Sequence, residues 1–148
     1  AIDIRQFDHL MDTQLTLALM LSVWTCDSAA FILGTLFGKK KIFPEVSPKK
    51  SWVGSISGLI AATAVMVLFS IQGWLGDYFS LNDALVFGLI AGVFGQLGDF
   101  TESLLKRDAG VKDSGTLLAG HGGVLDRFDS LIFAMPLSYL YIHFLMHI

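Results

Sequence analysis

The sequence predicts an all-α fold: a polytopic transmembrane helical bundle of about four spans with cytoplasmic polar loops. Hydrophobic residues make up 53% of the 148 residues and charged residues only 16%, whereas soluble domains carry about 25% charged residues. Four apolar stretches are each compatible with the roughly 20 residues that cross a bilayer. They run from about Leu15 to Phe37, Trp52 to Ile71, Ala84 to Phe100 and Phe128 to Ile148. A soluble domain of this length could not cover them all, so we expect one membrane domain, residues 1–148.

The first apolar stretch carries a carboxylate in its middle, at Asp27. An ionised group at the centre of a span costs about 2.5–3.5 kcal/mol on insertion scales. No cation lies near Asp27 in the sequence, so its partner must come from another helix, a metal or a water-filled cavity. A structural interhelical pair stays open, but a polar active cavity is favoured. The neighbouring Cys26 is the only cysteine; it excludes an internal disulfide and is expected to be buried or lipid-facing.

The loop charges predict the orientation of the bundle. Nine of the ten basic residues follow the first and third stretches, at Lys39, Lys40, Lys41, Lys49, Lys50, Lys106, Arg107, Lys112 and Arg127. With four spans those two connections fall on one side, which the positive-inside rule assigns to the cytoplasm. The connection 72–83 has no basic residue and suits the outer interface, as does the polar segment 1–12.

The second stretch is preceded by Ser47, Lys49, Lys50 and Ser51. The two lysines either neutralise phosphates at the mouth of a cavity or act as ordinary positive-inside anchors. Ser51 is a good N-cap for the following helix, whose N-terminus favours anions.

The third stretch ends in a second polar group, formed by Asp99, Glu102 and Ser103. Residues three or four apart share one face of a helix. Two carboxylates and a hydroxyl on one face predict a magnesium and phosphate site, although the polar end of a span would look similar. If the helix continues through Leu105, Asp99 and Glu102 lie inside the span. The glycines of the second and third stretches are expected to allow close helix packing, with Gly54, Gly58, Gly88, Gly92, Gly95 and Gly98 in this group.

The entry to the fourth stretch repeats the acidic pattern with Asp126 and Asp129, again three residues apart. A Gly-His-Gly-Gly loop at 120–123 precedes it; such a loop can present backbone N–H groups to phosphate, and a flexible turn would have the same sequence. Acidic pairs at the ends of two spans, with basic residues between them, fit cations that clamp a triphosphate. No Walker-type or dinucleotide-binding motif is present.

The segment 103–129 resembles the signature of the phosphatidate cytidylyltransferase family. The signature reads Ser-x-apolar-Lys-Arg, four residues, Lys-Asp, then His-Gly-Gly-apolar-x-Asp-Arg-apolar-Asp. The matching residues are Ser103, Lys106, Arg107, Lys112, Asp113, His121, Gly122, Gly123, Asp126, Arg127 and Asp129. The blocks around Asp27, Ser47–Trp52 and Gly98–Ser103 are also similar to the family, so the resemblance runs from about Trp24 onward.

The resemblance implies an enzyme that transfers the CMP moiety of CTP to phosphatidic acid and makes CDP-diacylglycerol and pyrophosphate for phospholipid biosynthesis. It implies Mg²⁺, with K⁺ as a proposed companion ion, held by Asp99 and Asp126. Lys112 and Asp113 would join these two in catalysis. The substrates would contact Asp27, Ser47, Lys49, Lys50, Glu102, Ser103, Lys106, Arg107, His121, Gly122, Gly123, Arg127 and Asp129. A bacterial inner membrane with the site facing the cytoplasm is expected, with membrane lipid around it and no nucleic acid partner; a homodimer is left open.

The chain departs from the family pattern in two places. Val53 stands where family members often have Glu or Gln, and the chain is expected to be the catalytic C-terminal part of a longer enzyme. Two other functions stay open: a CTP-dependent lipid kinase, such as a polyprenol kinase, which would release CDP, and a non-enzymatic ion transporter that uses Asp27 and Asp99.

Overall fold

The computed structural model describes residues 4–76, 79–111 and 125–145, with the side chains of 13–76, 79–111 and 128–144. This part of the chain is helical and contains no β-strand. A π-helical turn, Ile90–Phe94, joins the helices Leu81–Leu89 and Gly95–Asp108 into one continuous span. The helices are α1 Ile4–Phe37, α2 Trp52–Ile71, α3 Leu81–Leu89, α4 Gly95–Asp108 and α5 Leu125–Leu145.

Three helical segments of the described residues are long and apolar enough to cross a membrane: Thr13–Phe37, Trp52–Ile71 and Leu81–Asp108. They confirm the predicted all-α membrane bundle. The third segment extends past the predicted end of its apolar stretch, so Asp99 and Glu102 lie inside it. A prediction from hydropathy alone ends the third stretch too early, because the last two turns of this helical segment are polar. The fourth predicted span corresponds to the 21-residue α5, and its crossing of the membrane stays a prediction.

Glycines allow the helices to approach closely, as their spacing predicts. A Cβ atom on Gly58 of α2 would lie 2.8 Å from the carbonyl oxygen of Cys26 in α1. A Cβ atom on Gly88 of α3 would lie 2.5 Å from the Cα atom of Thr63 in α2. Contacts this short exclude any side chain, so these glycines set the distances between the first three spans.

The connection between α1 and α2 folds back on itself. The Trp52 amide donates a hydrogen bond to the Lys40 carbonyl at 3.2 Å. Ser51 caps α2 as predicted, because its Oγ accepts a hydrogen bond from the Gly54 amide at 3.2 Å. The folded connection therefore holds the end of the 39–50 basic segment against the start of α2.

The basic connection before α2 and the basic last turn of α4 meet at one end of the bundle. Nε of Arg107, in the last turn of α4, donates a hydrogen bond to the Val46 carbonyl at 3.5 Å, which agrees with the prediction that both lie on one side. The opposite end has its own polar cluster. There Asp83 in the first turn of α3 accepts hydrogen bonds from the Ser80 amide at 2.9 Å and the Tyr141 hydroxyl at 2.8 Å.

The apolar core lies between these two ends. Phe87 is fully buried and packs edge-on against the Tyr141 ring of α5. Cys26 is 1% exposed, so of the two expected positions, buried or lipid-facing, the structure shows the buried one. Further fully buried core side chains come from five helical elements, at Ala18, Ala62, Met66, Ala84, Ala91 and Ala134.

Candidate active site

Three carboxylates from two helices converge at the basic end of the bundle. One oxygen from each of Asp99, Glu102 and Asp129 lies within 4.8 Å of the others. Asp99 and Glu102 share a face of α4 because they are three residues apart. Asp129 comes from α5, whose backbone packs directly on Gly98. A Cβ atom on Gly98 would clash with the Asp129 carbonyl oxygen. Gly98 thus lets α5 approach closely enough to bring its carboxylate to those of α4.

The lysines of the site partly balance this charge. Lys50 Nζ lies 2.6 Å from Asp99 Oδ2 and 3.7 Å from the centre of the Phe100 ring. Lys106 Nζ lies 3.1 Å from Glu102 Oε2, one helical turn away. The Glu102 side chain is only 7% exposed, so its charge is shielded from bulk water. Three carboxylates and two lysines leave a net negative site when all are ionised.

Asp99 also faces a polar cavity of about 260 Å³ between α1, α2 and α4. Its walls bring together the polar residues that the sequence predicted for substrate binding in the first half of the chain. These are Asp27, Ser47, Lys49 and Lys50. Asp27, which is more than 70 positions from Asp99 in the sequence, therefore lines the same cavity as Asp99.

Asp27 lies on the wall of this cavity, as the cavity interpretation predicted. Among the described residues it makes no ion pair and no hydrogen bond. The alternative interpretation of Asp27 was a structural pair with a group on another helix. The described part of the chain contains no such pair. A carboxylate inside a span that faces a polar cavity is a functional-site candidate.

The other predicted substrate-binding residues of α4 face different partners. The Ser103 hydroxyl donates a hydrogen bond to the Asp99 carbonyl oxygen at 2.8 Å, within its own helix. Lys106 pairs with Glu102, and Arg107 contacts the 39–50 connection rather than the cavity. Their predicted contacts with substrate stay predictions.

The remaining predicted site residues are not tested by the described structure. Asp126 and Arg127 belong to the first turn of α5, but their side chains lie outside the described residues. The rest of the signature lies wholly outside them, namely Lys112, Asp113, His121, Gly122 and Gly123. The assignment of Asp126 as a metal ligand therefore stays a prediction.

Two residues of the site were missed by sequence reasoning, Gln96 and Ser55. Both line the polar cavity, and Gln96 Nε2 donates a hydrogen bond to the Ser55 carbonyl at 3.0 Å. A signal for Gln96 was present, because a glutamine three residues before Asp99 falls on the same face of a span. Ser55 offered none, since serine is common on interhelical faces.

The carboxylate cluster fits a divalent cation. Its donor atoms are all oxygens, which Mg²⁺ prefers, and carboxylates this close repel unless a proton or a cation lies between them. The cluster contains Asp99 and Glu102, which were predicted to share a face, and one member of the second acidic pair, Asp129; the role of these residues as a metal site stays a prediction. The resemblance named only Asp99 and Asp126 as metal ligands. The described cluster contains Glu102 and Asp129 in addition to Asp99.

Fold and site together define a class: a helical membrane protein with an acidic, lysine-bordered site at one end of its bundle. Residues 7–145 match the family model of the cytidylyltransferase family, and the chain belongs to that family. The chain is 43% identical over 139 residues to the phosphatidate cytidylyltransferase of Bacillus subtilis, covering 93% of the chain and 50% of the relative. It is 45% identical over 131 residues to that of Haemophilus influenzae, covering 86% of the chain and 45% of the relative.

A third relative gives the same result. The phosphatidate cytidylyltransferase of Staphylococcus haemolyticus is 46% identical over 123 residues, which cover 79% of this chain and 44% of the relative. The chain thus spans about half the length of the curated relatives it matches. The family match at 7–145 includes Asp27, Lys50, Asp99, Glu102 and Asp129.

Proposed function

We propose that this protein acts as a phosphatidate cytidylyltransferase, in which it transfers the CMP moiety of CTP to phosphatidic acid. The products are CDP-diacylglycerol, a precursor for phospholipid biosynthesis, and pyrophosphate. Family membership and the names of the relatives support the reaction class. The structural observation that carries the proposal is the cluster of Asp99, Glu102 and Asp129 beside Lys50. The three carboxylates suit a metal cation, and the ammonium group of Lys50 suits the phosphates that the cation would bind.

The proposed reaction is an in-line displacement at phosphorus. A phosphate oxygen of phosphatidic acid forms a bond to the α-phosphorus of CTP. The bond from that phosphorus to the bridging oxygen of the β-phosphate breaks, and pyrophosphate leaves with the electron pair. The attacking oxygen is already anionic, so no strong general base is needed. The barrier is dominated by charge repulsion and positioning, which fixed charges lower.

Each group of residues has a distinct role in this proposal. Asp99, Glu102 and Asp129 would hold Mg²⁺, together with Asp126 as the resemblance implies. When bound, the cation would neutralise phosphate oxygens and assist the leaving pyrophosphate. Lys50 changes partner on substrate binding, because its ammonium group can move from Asp99 to a phosphate oxygen of the nucleotide. Lys112, Asp113, His121 and Arg127 would complete the nucleotide site, and K⁺ is the proposed companion ion.

The position of the site suits one lipid and one water-soluble substrate. The carboxylates lie within the last turns of the third span and the first turns of α5. A lipid phosphate at the bilayer surface and a nucleotide from the aqueous side can both reach that depth. The basic connections support a cytoplasmic location for this side, and the bacterial relatives support the inner membrane. A homodimer and the absence of a nucleic acid partner also remain proposals.

A product assay tests the proposal. Membranes that contain the protein are incubated with phosphatidic acid and CTP, labelled in one reaction in the cytidine and in another in the γ-phosphate. We expect label from cytidine in CDP-diacylglycerol, label from the γ-phosphate in pyrophosphate, and loss of both signals when EDTA removes Mg²⁺. Transfer of the γ-phosphate to the lipid, with release of CDP, would contradict the proposal and support the lipid kinase.

A further inference from the structure

A second cavity, about 680 Å³ in volume, runs along an exposed side of the same helices. It lies between α2, the third span and the connection that precedes α2. Its lining is apolar over almost its whole surface and includes Phe43, Trp52, Ile56, Val93, Leu97 and Leu104. We call it the apolar groove. Several of these side chains are about half exposed, so they wall the groove without filling it.

The apolar groove adjoins the polar cavity. Ser55 and Gln96 line both spaces, and the hydrogen bond from Gln96 Nε2 to the Ser55 carbonyl crosses the boundary between them. Phe100 forms a second connection: its ring lines the groove while Lys50 Nζ lies 3.7 Å from its centre. The cationic group that pairs with Asp99 therefore lies at the edge of an apolar surface.

We propose that the apolar groove holds an acyl chain of the lipid substrate while the lipid phosphate meets Lys50 at the boundary with the polar cavity. This inference rests on the proposed function and names the part of the protein that binds the tail. A lipid phosphate suits this boundary because the ammonium groups of Lys49 and Lys50 line its polar side. Asp27 and Asp99 line the same cavity, so Lys50 pairs with the lipid phosphate by exchanging it for Asp99, as in the proposed reaction. The groove wall from Val93 to Leu104 spans about 16 Å of helix at about 1.5 Å per residue, a length that suits a long acyl chain.

A groove-filling substitution tests the proposal. Leu97 lines the groove and is 46% exposed, so Leu97→Trp adds volume into the groove without overpacking the core. Leu89 is 49% exposed on the same span and does not line the groove. Leu89→Trp is therefore a matched control for a tryptophan on a lipid-facing surface. Thermal unfolding of both variants checks that they fold.

The readout is acyl-chain selectivity, measured as kcat/KM for dipalmitoyl phosphatidic acid divided by kcat/KM for the dihexanoyl form. We expect Leu97→Trp to lower this ratio about tenfold, because a long chain needs more of the groove than a short one and pocket-shape changes of this size have effects of that order. Leu89→Trp should leave the ratio within about twofold of the unmodified protein. An unchanged ratio in Leu97→Trp, or an equal fall in both variants, overturns the proposal.

Photolabelling tests the binding site without turnover. Phosphatidic acid with a diazirine on one acyl chain is irradiated with the protein in phosphatidylcholine nanodiscs, and labelled peptides are mapped by mass spectrometry. We expect label on residues 52–59 and 93–104 that excess phosphatidic acid removes and excess phosphatidylcholine does not. Equal removal by both lipids, or a crosslink across the groove between two protein chains, refutes the acyl-chain assignment. If labelling is specific but no CDP-diacylglycerol forms, the proposed reaction fails and the lipid site stands.

Discussion

Both ends of the bundle hold a polar site, one with a single carboxylate and the other with three, and the two sites are built in opposite ways. At one end Asp83 accepts hydrogen bonds from the Ser80 amide, the Ser80 hydroxyl at 2.6 Å and the Tyr141 hydroxyl. Every partner there is a neutral donor. At the other end Asp99, Glu102 and Asp129 face one another. The carboxylate oxygens of Asp83 have hydrogen-bond donors around them, whereas the site at the other end brings three carboxylates together.

The difference separates a structural role from a functional one. A capping carboxylate with three donors ties α3 to α5 and stabilises the fold. Three adjacent carboxylates destabilise an empty site through mutual repulsion and become favourable when a cation binds. Substitutions at the two ends should therefore affect different properties, activity at one end and stability at the other.

Asp99→Asn should have the largest effect on activity. Asparagine keeps the size of the side chain but removes one of the charges that would hold the cation, and groups that stabilise transition-state charge are worth about 10²–10³ in kcat. We expect CDP-diacylglycerol formation to fall by at least that factor, with little loss of folded protein. Activity that stays within a few-fold of the unmodified protein would exclude Asp99 from the metal site.

Lys50→Met should have an intermediate effect. Methionine keeps an apolar stem against Phe100 but removes the ammonium group, and hydrogen bonds to charged groups contribute about 1.5–3 kcal/mol. We expect KM for CTP or for phosphatidic acid to rise about 10- to 100-fold. Lys39→Met is the control, because Lys39 is exposed on the same connection and lines neither cavity. Equal effects of the two substitutions would show that only the overall basic charge matters.

Asp83→Asn and Tyr141→Phe should have the smallest effect on activity and a measurable effect on stability. Each removes part of the hydrogen-bonded cluster that joins α3 to α5. Losing such a cap or bond costs about 0.5–2 kcal/mol. We expect a lower midpoint of thermal unfolding in detergent, with kcat/KM within about twofold of the unmodified protein when measured well below that midpoint. A large loss of activity with unchanged stability would contradict the structural role.

Hydropathy predicted most of the helical architecture, because lipid requires long apolar helices with satisfied backbones. It did not predict that the third span reaches Asp108, since polar side chains in its last turns find partners in other parts of the fold. The Glu102–Lys106 pair and the contact of Arg107 with Val46 are examples. Nor did it predict the π-helical turn Ile90–Phe94, which no local pattern in these apolar residues indicates.

The candidate site was predictable where its residues share one helix. The spacing of Asp99 and Glu102 indicated a common face, and the structure places their oxygens together. Contacts between helices were not predictable in the same way. Asp129 joins the cluster because α5 packs on Gly98, and Lys50 reaches Asp99 because the connection before α2 folds back. Both depend on tertiary packing, which a single sequence does not display.

The most direct test of the account is divalent cation binding by the protein in nanodiscs, measured by electron paramagnetic resonance with Mn²⁺ in place of Mg²⁺. We expect Glu102→Gln and Asp129→Asn each to weaken Mn²⁺ binding about tenfold or more, because even outer-shell partners of a bound metal contribute about 10–100-fold to its affinity. Asp83→Asn, at the opposite end, should bind Mn²⁺ like the unmodified protein. Unchanged Mn²⁺ affinity in the Glu102 and Asp129 variants would contradict the claim that these carboxylates form the metal site.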